Sequence, residues 1–127
     1  MPIDLQGIGE PRQRWLELGG QFRGVEVMIK ESTPRGAERF RQRLARAGIL
    51  RAGKNEGWQI NSGREDDFFR SYAEEYISDW RGEITPKDAP YNTVQMGALL
   101  GASNSLFEQI SNTITEDASF FVSSNGG

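Results

Sequence analysis

The sequence predicts an α+β fold, in which an N-terminal β-hairpin or small sheet packs on about four α-helices and the C-terminal half is mostly helical. Residues 25–29 alternate apolar and polar side chains, with the period of two that is typical of a strand. Residues 62–82 and 91–122 instead repeat apolar side chains every three or four positions, as amphipathic helices do. The strand pattern therefore comes first in the chain and the helical patterns follow it.

The chain of 127 residues has the length of a single domain. Its patterns divide that domain into a flexible arm at 1–13, a hairpin plus basic helix at 14–61, a central aromatic helix at 62–82, C-terminal helices at 91–122 and a tail at 123–127. The arm is rich in proline and glycine, and the tail reads SSNGG, so both have the composition of irregular termini.

The β-hairpin is predicted from two segments, residues 14–18 and 22–31, on either side of Gly19 and Gly20. The second segment alternates in polarity, so we expect its apolar side chains to point inward and its charged ones outward. The side chains expected to point inward are Val25, Val27 and Ile29. A two-stranded hairpin is marginally stable alone, so it must lie on the helices or pair with another chain.

The first helix is predicted to begin at Thr33 and Pro34, as N-cap and first helical residue, and to end before Gly48. One of its faces is basic and carries Arg35, Arg39, Arg41, Arg43 and Arg46. Such a face can bind a phosphate backbone, or the acidic surface of a neighbouring copy. No aromatic residues are interleaved with it and the whole chain is acidic, so the sequence favours a solvated or protein-facing helix over nucleic-acid binding.

Residues 62–82 predict one continuous helix, with Ser62 as N-cap, Glu65 at the capping-box spacing and Gly82 as the left-handed stop. Its apolar face carries Phe68, Phe69, Tyr72, Ala73, Tyr76, Ile77 and Trp80. Each aromatic ring buries about 150–250 Å² when packed, so we expect this face to be the spine of the core, with Trp80 buried against the third helix. The alternative is that the rings form a stacking platform for a flat ligand.

Three shorter signals lie on either side of the aromatic helix. Residues 58–60 predict a third strand that could join the edge of the hairpin. Asn92 predicts the start of the third helix, with Gln95 completing a capping box, and Ser105 with Glu108 predicts the start of a fourth.

The composition excludes several classes of site. The chain has no cysteine and no histidine, so it lacks disulfides, thiolate nucleophiles and the commonest general base and metal ligand. No phosphate-binding loop and no converging set of carboxylates is present in the sequence, so we expect neither a metal nor a cofactor and do not expect an enzyme. The absence of a signal peptide and of a membrane-length apolar run predicts a soluble intracellular protein that is not bound to a membrane.

The charge is unevenly distributed along the chain. Residues 1–64 contain 12 basic and 7 acidic side chains, a net of +5, whereas residues 65–127 contain 3 basic and 11 acidic, a net of −8. Such a split predicts self-association through opposite charges, or a partner of complementary pattern. The alternative is two solvated faces that merely differ in charge.

From the aromatic helix onward, the order of motifs resembles the tail assembly chaperones of long-tailed bacteriophages. The chain reads F-F-R-x-Y-A-x-x-Y-I-x-D-W-R-G, then a loop with proline, then P-Y-N-T-x-x-x-M-x-x-L-L and L-F-x-x-I. The positions that match the family motifs are Trp80, Arg81, Gly82, Pro90, Tyr91, Met96, Leu99, Leu100, Phe107 and Ile110. Asn92 departs from the family, which usually has serine or threonine there, but it can still cap a helix.

This resemblance implies a protein of the host cytoplasm that coats the tape measure protein in many copies and helps to recruit the major tail protein. The partner contacts that we expect are Phe22, Val27 and Ile29 on the hairpin, Arg35, Arg39, Arg43 and Arg46 on the basic helix, and Phe120 and Phe121 just before the tail. For the apolar members of this set, the alternative is core packing. The alternatives for the function are a small nucleic-acid-binding regulator that uses helix 35–54, and a structural tail or connector subunit.

Overall fold

The structure is a computed structural model and describes residues 11–54, 57–87, 89–116 and 121. Within these residues it contains four α-helices and five strands, so the predicted α+β fold is confirmed. The strands form a three-stranded antiparallel sheet and a separate two-stranded sheet. No helix in the described ranges has the length and apolar character needed to cross a membrane.

The predicted hairpin is present as strands β1 (Gln13–Glu17) and β2 (Val25–Lys30), which pair antiparallel. Its second strand begins three residues later than predicted, at Val25. A 3-10 turn at Gly20–Phe22 connects them. Val27 and Ile29 are buried and Val25 is half-buried, as the alternating pattern predicts. The last residues of the predicted arm lie against the hairpin, because Arg12 exchanges backbone and side-chain hydrogen bonds with Glu31. Residues 1–10 lie outside the described part of the chain.

The continuous helix predicted over 62–82 is wrong in its last third. Helix α2 (Glu65–Tyr76) ends at Tyr76, and strand β5 (Ile77–Gly82) follows at once and pairs with β2. Asp79 lies opposite Met28 and Ile77 opposite Ile29, so Ser78 is an extra residue in a β-bulge. The bulge turns Ile77 and Trp80 to the same inner side. Their three-residue spacing therefore looks helical in the sequence, although it comes from a bulged strand.

The predicted cap at the start of α2 is also wrong. The N-cap position is Arg64, and its side chain does not cap the helix. The Arg64 guanidinium instead donates to the carbonyls of Ala47 and Gly48 and, at 2.6 Å, to the carboxylate of Asp67. Arg64 thus fixes the start of α2 by bonding both to its first turn and to the end of α1. Ser62 is therefore not needed as a cap.

Helix α1 (Pro34–Arg46) begins and ends where the sequence predicts. The Thr33 hydroxyl accepts a hydrogen bond from the Gly36 amide at 3.0 Å. At the other end, Gly48 has a φ of 77° and the amide of Ile49 donates to the carbonyl of Leu44 at 2.9 Å. This is the Schellman geometry that a glycine after the last turn favours.

Residues 58–60 do form a strand, but it does not join the hairpin. Strands β3 (Leu50–Ala52) and β4 (Trp58–Ile60) pair with each other in the two-stranded sheet. The edge of β2 that a third strand could occupy is taken by β5 instead. Arg51, which falls within the range 35–54 of the nucleic-acid alternative, therefore lies on β3 and not on a helix.

The C-terminal half contains helices α3 (Thr93–Ala102) and α4 (Asn104–Glu116). Asn92 caps α3 as predicted, since its side chain accepts from the Gln95 amide at 3.0 Å. Helix α4 begins earlier than the sequence predicts, because the hydroxyl of Ser103, rather than that of Ser105, accepts from the amide of Leu106 at 3.2 Å. A Cβ on Gly97 would lie 2.7 Å from the Cα of Arg70, so this glycine lets α3 pack closely on α2.

One core joins the inner face of the three-stranded sheet to the four helices. Its buried side chains come from both the sheet and the helices. The largest fully buried ones are those of Ile29, Met96, Leu100, Leu106, Ile110 and Val27. Trp80 is half-buried rather than buried, because one side of its indole borders a cleft. That cleft is the candidate functional site.

Candidate partner-binding cleft

An apolar cleft of about 440 Å³ opens between the end of the three-stranded sheet, the segment that follows β5, and helix α3. We call it the partner cleft. Its lining residues are Leu18, Phe22, Val25, Val27, Trp80, Glu83, Ile84, Thr85, Pro86, Ala89, Gln95, Met96, Ala98, Leu99 and Leu106. Twelve of these fifteen residues are apolar, so the cleft can remove apolar side chains of a partner from water.

Trp80 is held rigidly in the wall of the cleft. It lies opposite Val27 in the β2–β5 pair, and its indole Nε1–H donates to the carbonyl of Ala89 at 2.9 Å. Its ring meets the ring of Tyr91 edge to face, with centroids 5.1 Å apart. Because the indole is fixed from the strand side and from the loop side, its exposed part forms a preformed apolar surface.

Tyr91 supports Trp80 from behind. Its hydroxyl donates to the carbonyl of Ile77 at 2.9 Å, which ties the start of α3 to the start of β5. Burial, with the nearby carboxylates of Asp79 and Glu74, raises the pKa of Tyr91 far above its usual range. The hydroxyl is therefore protonated at neutral pH, where it donates to this carbonyl.

The hairpin turn that forms the other wall is anchored to α4. The side-chain amide of Gln109 accepts a hydrogen bond from the Gly19 amide at 2.7 Å and donates to the Gly19 carbonyl at 3.3 Å. This pair of bonds holds the turn, and with it Leu18 and Phe22, across from Trp80. Helices and strands thus position the walls of the cleft from both sides.

Helix α3 contributes the exposed apolar part of the site. Met96 and Leu100 are buried beneath it, whereas Leu99 is 43% exposed and lines the cleft. Val94, on the same helix, is 61% exposed but does not line the cleft. Helix α3 is therefore apolar on part of its outer face as well as on its inner face.

The structure brings some of the family-motif positions together and separates others. Trp80, Met96 and Leu99 line the cleft and Tyr91 backs it. Gly82 lies at the end of β5, Pro90 is exposed between Ala89 and Tyr91, and Leu100 is in the core.

Arg81 points to the other face of the sheet, as its place beside Trp80 in a strand requires. Its guanidinium lies 4.0 Å from the centre of the Trp15 ring and its Nε is 3.0 Å from the carboxylate of Glu26. The Trp-Arg pair of the motif therefore serves two different surfaces.

Among the predicted partner contacts on the hairpin and just before the tail, only Phe22 is placed in the cleft wall with surface to offer. Val27 is 1% exposed and, like Met96, lies at the buried base of the cleft, whereas Ile29 is fully buried and Phe121 is in the same core. For them the alternative, core packing, is what the structure shows. Phe120 lies outside the described residues.

The basic face of α1 is not part of the cleft. Arg35, Arg39 and Arg46 are exposed on the helix. Arg43 is also exposed, but its guanidinium lies over the Phe40 ring and about 4.0 Å from the carboxylate of Glu75. These cations form a separate, solvated surface.

Sequence reasoning missed one wall of the site. The segment after β5 reads as a polar linker with prolines, yet Ile84, Pro86 and Ala89 face the cleft. The only signal was the presence of small and apolar residues at these positions. Across the described part of the chain, no three acidic side chains converge as a metal site would require, and Glu83 is the sole ionisable residue in the cleft lining.

Comparison with known proteins adds no relative to these observations: no protein-family model matches the chain, and neither the curated proteins nor the solved structures gave a significant match.

Proposed function

We propose that the chain is a tail assembly chaperone of a long-tailed bacteriophage, which binds the tape measure protein in the host cytoplasm and helps to recruit the major tail protein. The observation that supports this proposal is the convergence of motif residues on one surface. Trp80, Met96 and Leu99, which carry the resemblance to that family, line the same apolar cleft, and Tyr91 supports it.

The partner cleft suits one face of an amphipathic helix. Such a helix docks by placing a few apolar side chains, three or four residues apart, into an apolar groove. The cleft offers a rigid indole on one side and the exposed side chain of Leu99 on the other, with the hairpin turn at its end. A long helical tape measure protein would present such side chains repeatedly along its length.

A small cleft also suits a chaperone that must later leave. Each copy buries only a few side chains, so its own affinity is modest, and many copies on one rod supply the strength through avidity. The major tail protein can then displace the copies one after another. A single tight contact would oppose that exchange.

Co-expression of the chain with the tape measure protein of its own phage tests the proposal. We expect the tape measure protein to be soluble with the wild-type chain and to aggregate without it. Leu99→Asp places a charge in the cleft at a side chain that is already partly exposed, so it should abolish this effect without unfolding the chain. Val94→Asp is the matched control, because Val94 is exposed on the same helix outside the cleft.

Two results contradict the proposal at different levels. If the tape measure protein is equally insoluble with and without the wild-type chain, the chaperone function is wrong. If solubility depends on the chain but Leu99→Asp and Val94→Asp behave alike, the function stands and the partner cleft is not its site.

Nucleic-acid binding is the second candidate, and the exposed arginines of α1 favour it. No hydrogen bond or ion pair from Arg35, Arg39 or Arg46 is found within the described residues, so these side chains are free to meet phosphates. Filter binding of duplex DNA across a salt series decides this candidate. An affinity that falls steeply with salt, and that the change Arg39→Glu abolishes, would support it. A third role, as a structural tail or connector subunit, requires the chain to remain in finished virions.

A further inference from the structure

A second cavity, of about 390 Å³, lies between α1, β4, α2 and the end of α4. We call it the aromatic cavity. Its volume is within the range of about 300–1,000 Å³ that small-molecule sites occupy. The aromatic residues among those that line it are Phe40, Trp58, Phe68, Phe69, Tyr72, Tyr76 and Phe107. The described residues that line it are entirely different from those of the partner cleft.

The rings of the cavity hold one another in fixed orientations. Phe40 meets Tyr76 edge to face with centroids 5.4 Å apart, and Tyr72 meets Phe107 at 5.0 Å. Edge and tilted contacts of this kind are the favourable geometry for aromatic pairs. Since the wall is already ordered, a flat ligand that enters it would cost the protein little side-chain entropy.

One residue that lines the cavity carries a polar atom to which no described residue forms a hydrogen bond. Tyr72 is 6% exposed, and its hydroxyl has no hydrogen-bond partner within the described chain. The chain's two other tyrosines differ, since the hydroxyl of Tyr76 is 3.4 Å from Ser32 Oγ and that of Tyr91 donates to a carbonyl. A buried hydroxyl without a partner lowers stability, so its presence points to a partner that arrives from outside the chain. Burial raises the pKa of Tyr72, so the group is a hydroxyl donor and not a phenolate.

A second unused donor lines the same cavity. The Nε of Arg41 is buried and, among the described residues, has no acceptor. Its terminal Nη2 donates to the carboxylate of Glu38 at 2.9 Å, and the other oxygen of Glu38 accepts from Gln42 at 3.0 Å. The outer end of the guanidinium is therefore held by Glu38, which leaves the inner N–H without a partner in the described part of the chain.

We infer that the aromatic cavity binds a planar aromatic carboxylate, with its rings among the aromatic side chains and its carboxylate on the hydroxyl of Tyr72 and the Nε–H of Arg41. A carboxylate is acceptor-only and has two oxygens, which matches two unpaired donors on one cavity. The rings select a flat apolar body, and the two polar atoms fix its orientation, as in small-molecule sites generally. This inference is independent of the chaperone function.

The test uses the ¹⁵N-labelled full chain and 2-naphthoate as the probe. In heteronuclear NMR spectra the Nε–H signal of Arg41 is assigned by its loss in Arg41→Lys. We expect 2-naphthoate to shift that signal saturably, together with the amide signals of Phe68 and Tyr72. We expect Tyr72→Phe, which keeps the ring, to weaken binding about 2- to 10-fold, the range for one net hydrogen bond. Arg41→Lys should weaken it by a similar factor.

Two controls make the result specific. Leu99→Asp, in the partner cleft, should leave the affinity for 2-naphthoate unchanged. 2-Naphthalenemethanol, which keeps the rings and lacks the carboxylate, should bind at least about 5-fold more weakly, because an alcohol accepts weaker hydrogen bonds than an anion. The inference is overturned if 2-naphthoate causes no saturable shift at millimolar concentration or shifts the partner cleft instead. It is equally overturned if Tyr72→Phe and Arg41→Lys bind like the wild type, or if the alcohol binds as tightly as the acid.

Discussion

Gly82 lies directly against the backbone carbonyl of Gly24, and the amide of Glu83 donates to that same carbonyl at 3.0 Å. A Cβ at position 82 would collide with the carbonyl oxygen, and Gly82 also has a φ of 105°, which other residues rarely adopt. This contact lies at the end of the β2–β5 pair, where the chain leaves β5 and enters the segment that lines the partner cleft. The family-motif glycine is therefore required by backbone packing at the end of a strand, and not by the end of a helix.

Gly82→Ala should destabilise the protein by about 3–4 kcal/mol, because backbone strain and a collision act together. Gly63→Ala is the matched control: Gly63 also has a positive φ, 82°, but nothing lies within 4 Å of the Cβ it would carry. That change should cost about 1–2 kcal/mol from strain alone. Urea unfolding curves of the two variants give the comparison, and equal losses would mean that the contact with Gly24 contributes nothing.

Tyr72→Phe should stabilise the ligand-free protein by about 1 kcal/mol, because it removes a buried hydroxyl that has no partner within the described residues. Tyr91→Phe removes a hydroxyl that donates to Ile77, so it should destabilise by about 1 kcal/mol. Removing a tyrosine hydroxyl should thus raise the free energy of unfolding at buried Tyr72 and lower it at half-buried Tyr91. Thermal unfolding measures both, and a loss of stability in Tyr72→Phe would show that its hydroxyl is satisfied.

Asp67 should make folding sensitive to acid. Its hydrogen bond with the Arg64 guanidinium, supported by the charges of Arg64 and Arg70, holds the pKa of Asp67 below its usual value. A carboxyl with a depressed folded-state pKa contributes stability that is fully present above its unfolded value, near pH 4, and that is lost as the pH falls through the folded value.

Asp67→Asn should therefore flatten the fall in stability below about pH 4. Asp66→Asn is the control, since Asp66 is an exposed neighbour in the same turn of α2. The measurement is the unfolding free energy of the wild type and of both variants between about pH 2 and about pH 6. If the unfolding free energy of Asp67→Asn falls with acid as steeply as that of the wild type, the ion pair of Asp67 with Arg64 is not the cause of the acid sensitivity.

The charge split predicts self-association that salt weakens. Arg35, Arg39 and Arg46 are exposed on α1, and Glu65 and Asp66 are exposed at the start of α2, so a neighbouring copy can offer the opposite charge. Surface ion pairs are individually weak and screened, so apolar contacts such as the edge of β1 must carry most of the association.

Light scattering should show an average mass that falls between about 20 mM and about 500 mM salt. Arg39→Glu combined with Arg46→Glu should lower the mass at low salt. A strict monomer at high protein concentration and low salt would exclude this mode of association.

The boundaries of α1 could be predicted because their determinants are local. Thr33 caps its own helix three residues on, and Gly48 ends it with bonds to the turn just before it. The cap at Asn92 is local in the same way, and the two strands of the hairpin are neighbours in the chain. Where one turn of chain supplies both partners of a bond, the residue types alone are enough.

The change from helix α2 to strand β5, between Tyr76 and Ile77, could not be predicted from neighbouring residues. The apolar spacing from Phe68 through Trp80 fits a helix throughout, and only the pairing of Ile77 with Ile29, some 48 positions earlier in the chain, turns its last part into a strand. An extended segment gains a ladder of hydrogen bonds from β2 that a further turn of helix would forgo. The sequence contains no sign of that choice, since the bulge at Ser78 reproduces the three-residue spacing.

By itself, the sequence determined the fold class, the hairpin, the ends of α1 and the start of α3, and it marked Trp80, Tyr91, Met96 and Leu99 as residues of interest. Only the tertiary structure decided that Trp80 lies on a strand, that Val27 and Ile29 are core, and that the indole and Leu99 share one cleft. It alone revealed that the hydroxyl of Tyr72 is buried without a partner among the described residues. The physical reason is that clefts and unpaired groups depend on which distant segments pack together, and periodicity records only the side of an element that is buried.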